Sequence, residues 1–162
     1  MIKVQNILLL VLIAIGLFAQ KEDANWCFGY GAGIDFSDTA SITTFRTAGG
    51  ENVEIAASIS DSEGNLLLYI SEMFFLANGD SIAIYDGNHN IIKNKKNILV
   101  RPTFANGMVF IPQAETNCYY LLHNAYLPNP SCVFACASIR YTKICFDDSL
   151  QAHFVSEKNV LF

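Results

Sequence analysis

The chain has 162 residues, with 10 Lys and Arg against 15 Asp and Glu, a formal charge of −5. That length fits one domain, and the acidic balance argues against nucleic acid or an anionic membrane surface as the main partner. With 12 Phe, 7 Tyr and only 15% charged residues, the chain is also too apolar to stay disordered.

In chain order, the first element is a targeting segment. Lys3 supplies a short basic start, residues 7–18 are apolar without a charge, and Ala19 places a small residue before Gln20, Lys21, Glu22 and Asp23. This is the layout of a removable secretory signal over residues 1–19. A helix over 7–19 would span only about 20 Å, short of a hydrocarbon core of about 30 Å. Membrane contact is therefore expected only through this segment, if it stays uncleaved. The expected product is one domain over residues 20–162, secreted or held at the cell surface. Without the signal the chain is about 48% apolar, ordinary for a globular domain.

Trp26, Phe28, Tyr30 and Phe36 follow. Such a cluster is expected to anchor the start of a β-domain core, the alternative being an aromatic surface that binds glycans. Beyond it no long run carries a helical apolar stripe. Short strand-like runs occupy 55–59, 66–70, 81–85, 108–111, 119–123, 139–146 and 153–155. Turn signals separate them: residues 60–65, Asn78-Gly79, Asp86-Gly87, Asn106-Gly107 and Asp147-Asp148. Gly64 sits where the 60–65 turn is expected to need a positive φ. Leu66 to Ile70 is apolar without alternation, which predicts a central strand covered on both faces. Pro112, Pro128 and Pro130 are expected at strand ends or in loops.

The pattern over residues 55–71 recurs over 107–125, a spacing of about 52 residues, in the range of propeller blades. The expected fold class is all-β and antiparallel: a partial, open β-propeller-like repeat of about two to three blades, with a β-sandwich as the alternative.

Five cysteines, Cys27, Cys118, Cys132, Cys136 and Cys145, would meet an oxidising compartment after export. The odd count leaves at least one outside an intrachain bridge, and Cys118, Cys132, Cys136 and Cys145 lie close enough in sequence for a local disulfide. Cys132-x-x-x-Cys136 lacks a His at a supporting zinc spacing. Asp61, Glu63 and Asn65 resemble calcium ligands, but a helix-flanked loop would need Gly where Leu66 stands, so hairpin-turn chemistry is expected. No spacing selects a carboxylate pair from Glu51, Glu54, Glu72, Asp147 and Asp148, and neither His89 nor His123 accompanies a nucleophile motif. No catalytic residue, metal or cofactor is therefore assigned.

Several segments resemble one family. Asn25-Trp26-Cys27-Phe28-Gly29 with Ala32-Gly33-Ile34-Asp35-Phe36 is similar to the Asn-Trp-Tyr-Phe-Gly…Ala-Gly-Leu-Asp-Phe opening of large secreted proteins of gliding bacteria. Those proteins end in a gliding-motility-associated, type IX secretion sorting domain. Ser58 to Tyr69 resembles their Ser-Asp-x-x-Gly-Asn-Leu-Leu-Phe-Tyr strand pair, and Ile84-Tyr85-Asp86-Gly87-Asn88-His89 their Val-Trp-Asn-x-Asn-His. Phe110-Ile111-Pro112 with Tyr119-Tyr120-Leu121-Leu122, then Ile139-Arg140-Tyr141 and Glu157-Lys158-Asn159, resemble later pieces. Tyr69-Ile70-Ser71-Glu72 departs from the usual Tyr-Thr-Asp-Gly.

The resemblance implies a propeller-like N-terminal region, truncated here, since about three blades fit and closed rings need roughly four to eight. The function expected from it is an exported, non-catalytic surface or extracellular interaction module with an unidentified protein or glycan partner. The alternative is a partial or degenerate carbohydrate-active propeller that binds or cleaves glycans. Self-association through an open sheet edge is expected as well.

Overall fold

The computed structural model describes residues 21–28, 31–38, 40–48, 56–72, 82–93, 98, 107–126 and 137–162. The readings made for residues 1–19, Tyr30, Glu51, Glu54, Asn78-Gly79, Asn106, Pro128, Pro130, Cys132 and Cys136 lie outside these. Among the described residues there are ten strands and no helix. They form three open antiparallel sheets, each a simple meander. Sheet 1 comprises β1 (Asn25–Phe28), β2 (Ala32–Asp35) and β3 (Thr43–Arg46). Sheet 2 comprises β4 (Ala56–Ser60), β5 (Leu66–Glu72) and β6 (Ile82–Asp86). Sheet 3 comprises β7 (Met108–Pro112), β8 (Cys118–Tyr126), β9 (Ala137–Asp147) and β10 (Ala152–Leu161). The first strands of the three meanders lie side by side, β1 against β4 and β4 against β7.

Sheet 2 is the middle layer, and the unalternating run in β5 explains why. Leu68, Tyr69 and Ile70 are all fully buried, although adjacent residues of a strand point to opposite faces. Leu68 and Ile70, with Ile59 and Ile84, pack on Met108, Phe110, Leu121, Ile144 and Val155 of sheet 3. Tyr69, with Ala83 and Tyr85, packs the other way, onto Cys27 and Phe45 of sheet 1. Each large apolar side chain so buried contributes about 1.5–3 kcal/mol.

The contact between sheets 1 and 2 is also polar. Ser58 Oγ donates to the Asn25 carbonyl at 2.6 Å. Asn25 Nδ2 donates to Ser60 Oγ at 3.0 Å and to the Gly64 carbonyl at 2.7 Å. Phe45 lays its ring over Gly33, its partner in register, so closely that a Cβ on Gly33 would come within 2.4 Å of the ring. Beyond β6, the amide of Val155 donates to the Lys93 carbonyl at 3.1 Å, tying the end of sheet 2 to the outer strand of sheet 3.

The hairpins repeat a device. β7 and β8 begin at Met108 and Cys118, each 52 residues after β4 and β5 begin at Ala56 and Leu66. The four-strand sheet is further cross-linked by a disulfide between Cys118 and Cys145, which face each other across β8 and β9.

Strands β1 to β3 escape the sequence reading because each has four residues and glycines interrupt the run. Trp26 and Phe28 do not anchor a core: they are 52% and 40% exposed, while Asn25 and Cys27 take the buried phase of β1. β10 continues past Val155 to Leu161 despite the polar Ser156-Glu157-Lys158-Asn159. Backbone pairing with β9 carries it through two register irregularities, Val160 opposite Tyr141 and Leu161 opposite Arg140.

Gly64 holds φ at 94°, and a Cβ there would lie 2.8 Å from Ser37 Cβ. Gly64→Val is expected to lower stability by roughly 1–3 kcal/mol, read as a fall in the urea midpoint at unchanged slope. Replacing Cys118 and Cys145 by Ser together should cost about 3–4 kcal/mol in the same measurement, the chain-entropy value for a loop of this size.

Candidate functional site

A cleft of about 500 Å³ opens across one end of the stack, and every sheet contributes to it. Asp35 and Ser37 come from the end of β2, Asn65 from the β4–β5 turn, Asn88 from the turn after β6, and Phe146 and His153 from the β9–β10 hairpin. The polar character follows from the turns. A strand end must satisfy its freed backbone N–H groups, and an Asp or Asn at the first turn position does so with its own side chain.

Two turns of sheet 2 do this in the same way. Asp61 Oδ1 accepts from the amides of Glu63 and Asn65 at 2.9 and 2.8 Å, and its Oδ2 accepts from Asn65 Nδ2 at 2.9 Å. Asp86 Oδ1 accepts from the amides of Asn88 and Asn90 at 2.9 and 2.8 Å. The fourth residue of each turn has positive φ, Gly64 at 94° and His89 at 65°. Asp35 Oδ1 likewise accepts from the Ser37 amide at 2.7 Å. Asp147 Oδ1 accepts from Ser149 Oγ at 2.6 Å and from the Ser149 amide at 2.9 Å.

Desolvation pushes the Asp61 carboxyl up, but the hydrogen bonds from Asn65, Glu63 and Gly64 together outweigh it and hold it below the ordinary value. The side-chain bond from Ser149 does the same for Asp147, assisted by the amides of Leu150 and Ser149.

The candidate calcium residues Asp61, Glu63 and Asn65 thus meet in one turn, but the carboxylate faces N–H donors there. Among the described residues no group of three or more His, Cys, Asp or Glu is placed to hold a metal ion. Asp147 and Asp148 share a turn without converging; Asp148 is exposed. Cys118 and Cys145 are joined, whereas Cys27 is a buried free thiol pushed up to about 12 by desolvation, against the opposing bond from Ser58.

The histidines take three different roles. His123 is a core residue on β8, 1% exposed, with Nε2 3.0 Å from Thr142 Oγ1. His89 Nδ1 lies 3.0 Å from Tyr69 Oη, which accepts from the Ala48 amide at 2.9 Å. Its ring stacks on Phe45, so it closes the contact between sheets 1 and 2. His153 borders the cleft, 9% exposed, edge-on to Phe146 with ring centroids 5.0 Å apart. Burial depresses its pKa against the opposing pull of Asp86, which keeps the imidazole neutral at pH 7, one nitrogen a donor and the other an acceptor.

Trp26 and Phe28, proposed as a binding surface with Tyr30, share the outward face of β1, with the Trp26 and Phe36 rings edge-to-face at 5.1 Å. The cleft itself escaped the sequence reading, because Asp35, Asp86 and His153 are far apart in sequence. The signal that could have found part of it is the repeated Asp-x-x-x-Asn of residues 61–65 and 86–90.

Because the folded-state pKa of His153 lies below its unfolded value of about 6.5, the unfolded chain takes up the proton first as pH falls. Its contribution to stability is complete above that value and is lost as pH drops through the folded pKa. Asp61 and Asp147 act only below the ordinary carboxylate value of 3.8. The thermal midpoint should therefore fall between pH 7 and 5, and His153→Phe should flatten that slope.

The chain matches no protein-family model, no curated protein and no solved structure.

Proposed function

We propose that this chain is an exported, non-catalytic interaction module: an open, propeller-like segment of three blades whose turn-end cleft holds a polar extracellular ligand. The blade reading is supported by three successive meanders whose first strands are adjacent. Export is supported by the Cys118–Cys145 disulfide, which suits an oxidising compartment, together with the apolar N-terminal segment. The resemblance of the Asn25 and Ser58 segments to gliding-motility-associated secreted proteins points the same way.

One observation carries the assignment: the Asp35 and Asp86 carboxylates that border the cleft already cap their own turns. Acid–base hydrolysis of a glycoside needs two carboxyls of separated pKa flanking the bond, and turn caps are poorly disposed for that work. What the cleft offers is hydrogen bonding from neutral His153 and the exposed Asn88 amide, beside the ring of Phe146. That mixture suits a neutral glycan, whose hydroxyls both donate and accept and whose ring C–H groups pack on aromatic faces.

Titration of the full chain with neutral oligosaccharides, followed by amide chemical shifts, tests this. Shifts should concentrate on residues 86–88 and 151–153, and Asn88→Ala should weaken binding by about tenfold, the cost of one or two lost hydrogen bonds. Release of reducing sugar that Asp86→Asn abolishes would replace the binding reading with hydrolysis.

A further inference from the structure

Among the described residues, the two end faces of the stack carry large exposed apolar side chains. Among the described residues, sheet 2 presents one face to sheet 1 and the other to sheet 3, whereas sheets 1 and 3 each pack on sheet 2 with one face only. Ala57 and Ile59 on β4 face forward, onto sheet 3, and Met108 and Phe110 on β7 face back to meet them. By the alternation of a strand, Val109 and Ile111 are the forward-facing residues of β7, the counterparts of Ala57 and Ile59. They are 51% and 42% exposed. Trp26 and Phe28 are the backward-facing residues of β1, the counterparts of Met108 and Phe110, and they too are exposed.

The forward face of sheet 3 also holds a trough of about 320 Å³ lined by Ile111, Tyr120, Leu122, Tyr141 and Phe162. The Cys118–Cys145 bridge crosses the same face, because Cys118 and Tyr120 share one side of β8. The stack thus ends in an aromatic ridge on one side and an apolar trough on the other. Contiguous apolar patches of this kind mark interaction surfaces.

We infer that a second copy of this chain covers both: the Trp26–Phe28 ridge of each copy docks in the Ile111–Leu122 trough of the other. The contact continues the step already made twice within the chain, sheet 1 to sheet 2 and sheet 2 to sheet 3. It is heterologous, ridge into trough, and two copies satisfy both ends at once by closing a ring of six sheets. Rings of four to eight such sheets are the common closed form of this packing. Self-association thereby runs through sheet faces and not through the open edges.

The full chain should sediment as a dimer at micromolar concentration, with Trp26 fluorescence shifted to the blue relative to a diluted sample. Trp26→Arg and Ile111→Arg, each on an exposed position, should each weaken the dimer by roughly tenfold or more while leaving the near-ultraviolet dichroism native. An equimolar mixture of the two variants should recover association, because the intact trough of the first accepts the intact ridge of the second. A wild-type chain that remains monomeric would overturn the inference. So would a dimer broken by Trp26→Arg alone, which would mean ridge-to-ridge pairing. Glycan binding in the cleft is read separately: it should persist in both variants, so its loss or absence leaves the dimer result standing.

Discussion

The structure depends on the double-sided burial of β5. A strand whose successive residues Leu68, Tyr69 and Ile70 are all withdrawn from water must have a packed layer on each face, and this requirement places sheet 2 between sheets 1 and 3. The two layers differ in chemistry. Toward sheet 3 the contact is apolar, built mostly from Leu, Ile, Val and Met with Phe110. Toward sheet 1 it is aromatic and polar: Tyr69 stacks on Tyr85 with centroids 5.0 Å apart and pairs with His89, while Ser58 donates to the Asn25 carbonyl and Asn25 donates to Ser60. The apolar contact is driven by area, whereas the second specifies alignment, because directional bonds are satisfied in only one register.

That alignment positions the turns. With the three first strands side by side, the β4–β5 turn, the segment after β6 and the β9–β10 hairpin arrive at one end of the stack. The carboxylates there are consumed locally, since each strand end has amides that nothing else can satisfy. A cleft formed this way is polar, and the carboxylates that border it also cap their own turns.

Among the described residues, no strand packs on the first and last faces of the same stack. Trp26, Phe28, Val109 and Ile111 are exposed, whereas of their counterparts inside the stack Met108, Phe110 and Ile59 are buried and Ala57 is partly buried. Hydrophobic residues on an outer face and hydrophobic residues in the core therefore have one origin, the alternation of strands that all follow the same meander.

The sequence by itself determined the strand-and-turn character, the central place of β5, the hairpin repeat at 52 residues and the turn that needs Gly64. Each of these is local: alternation, its absence, or a backbone angle that few residues tolerate. Tertiary structure decided the rest. Four-residue strands such as β1 to β3 carry too little pattern to be read alone, and they exist because sheet 2 offers them a surface. Whether Trp26 or Cys27 is buried depends on which side of β1 meets that surface, and the two phases look alike in a run as short as Asn-Trp-Cys-Phe. His89, His123 and His153 are likewise indistinguishable in sequence. One closes an interface, one sits in the core and one borders the cleft, because their surroundings come from strands tens of residues away.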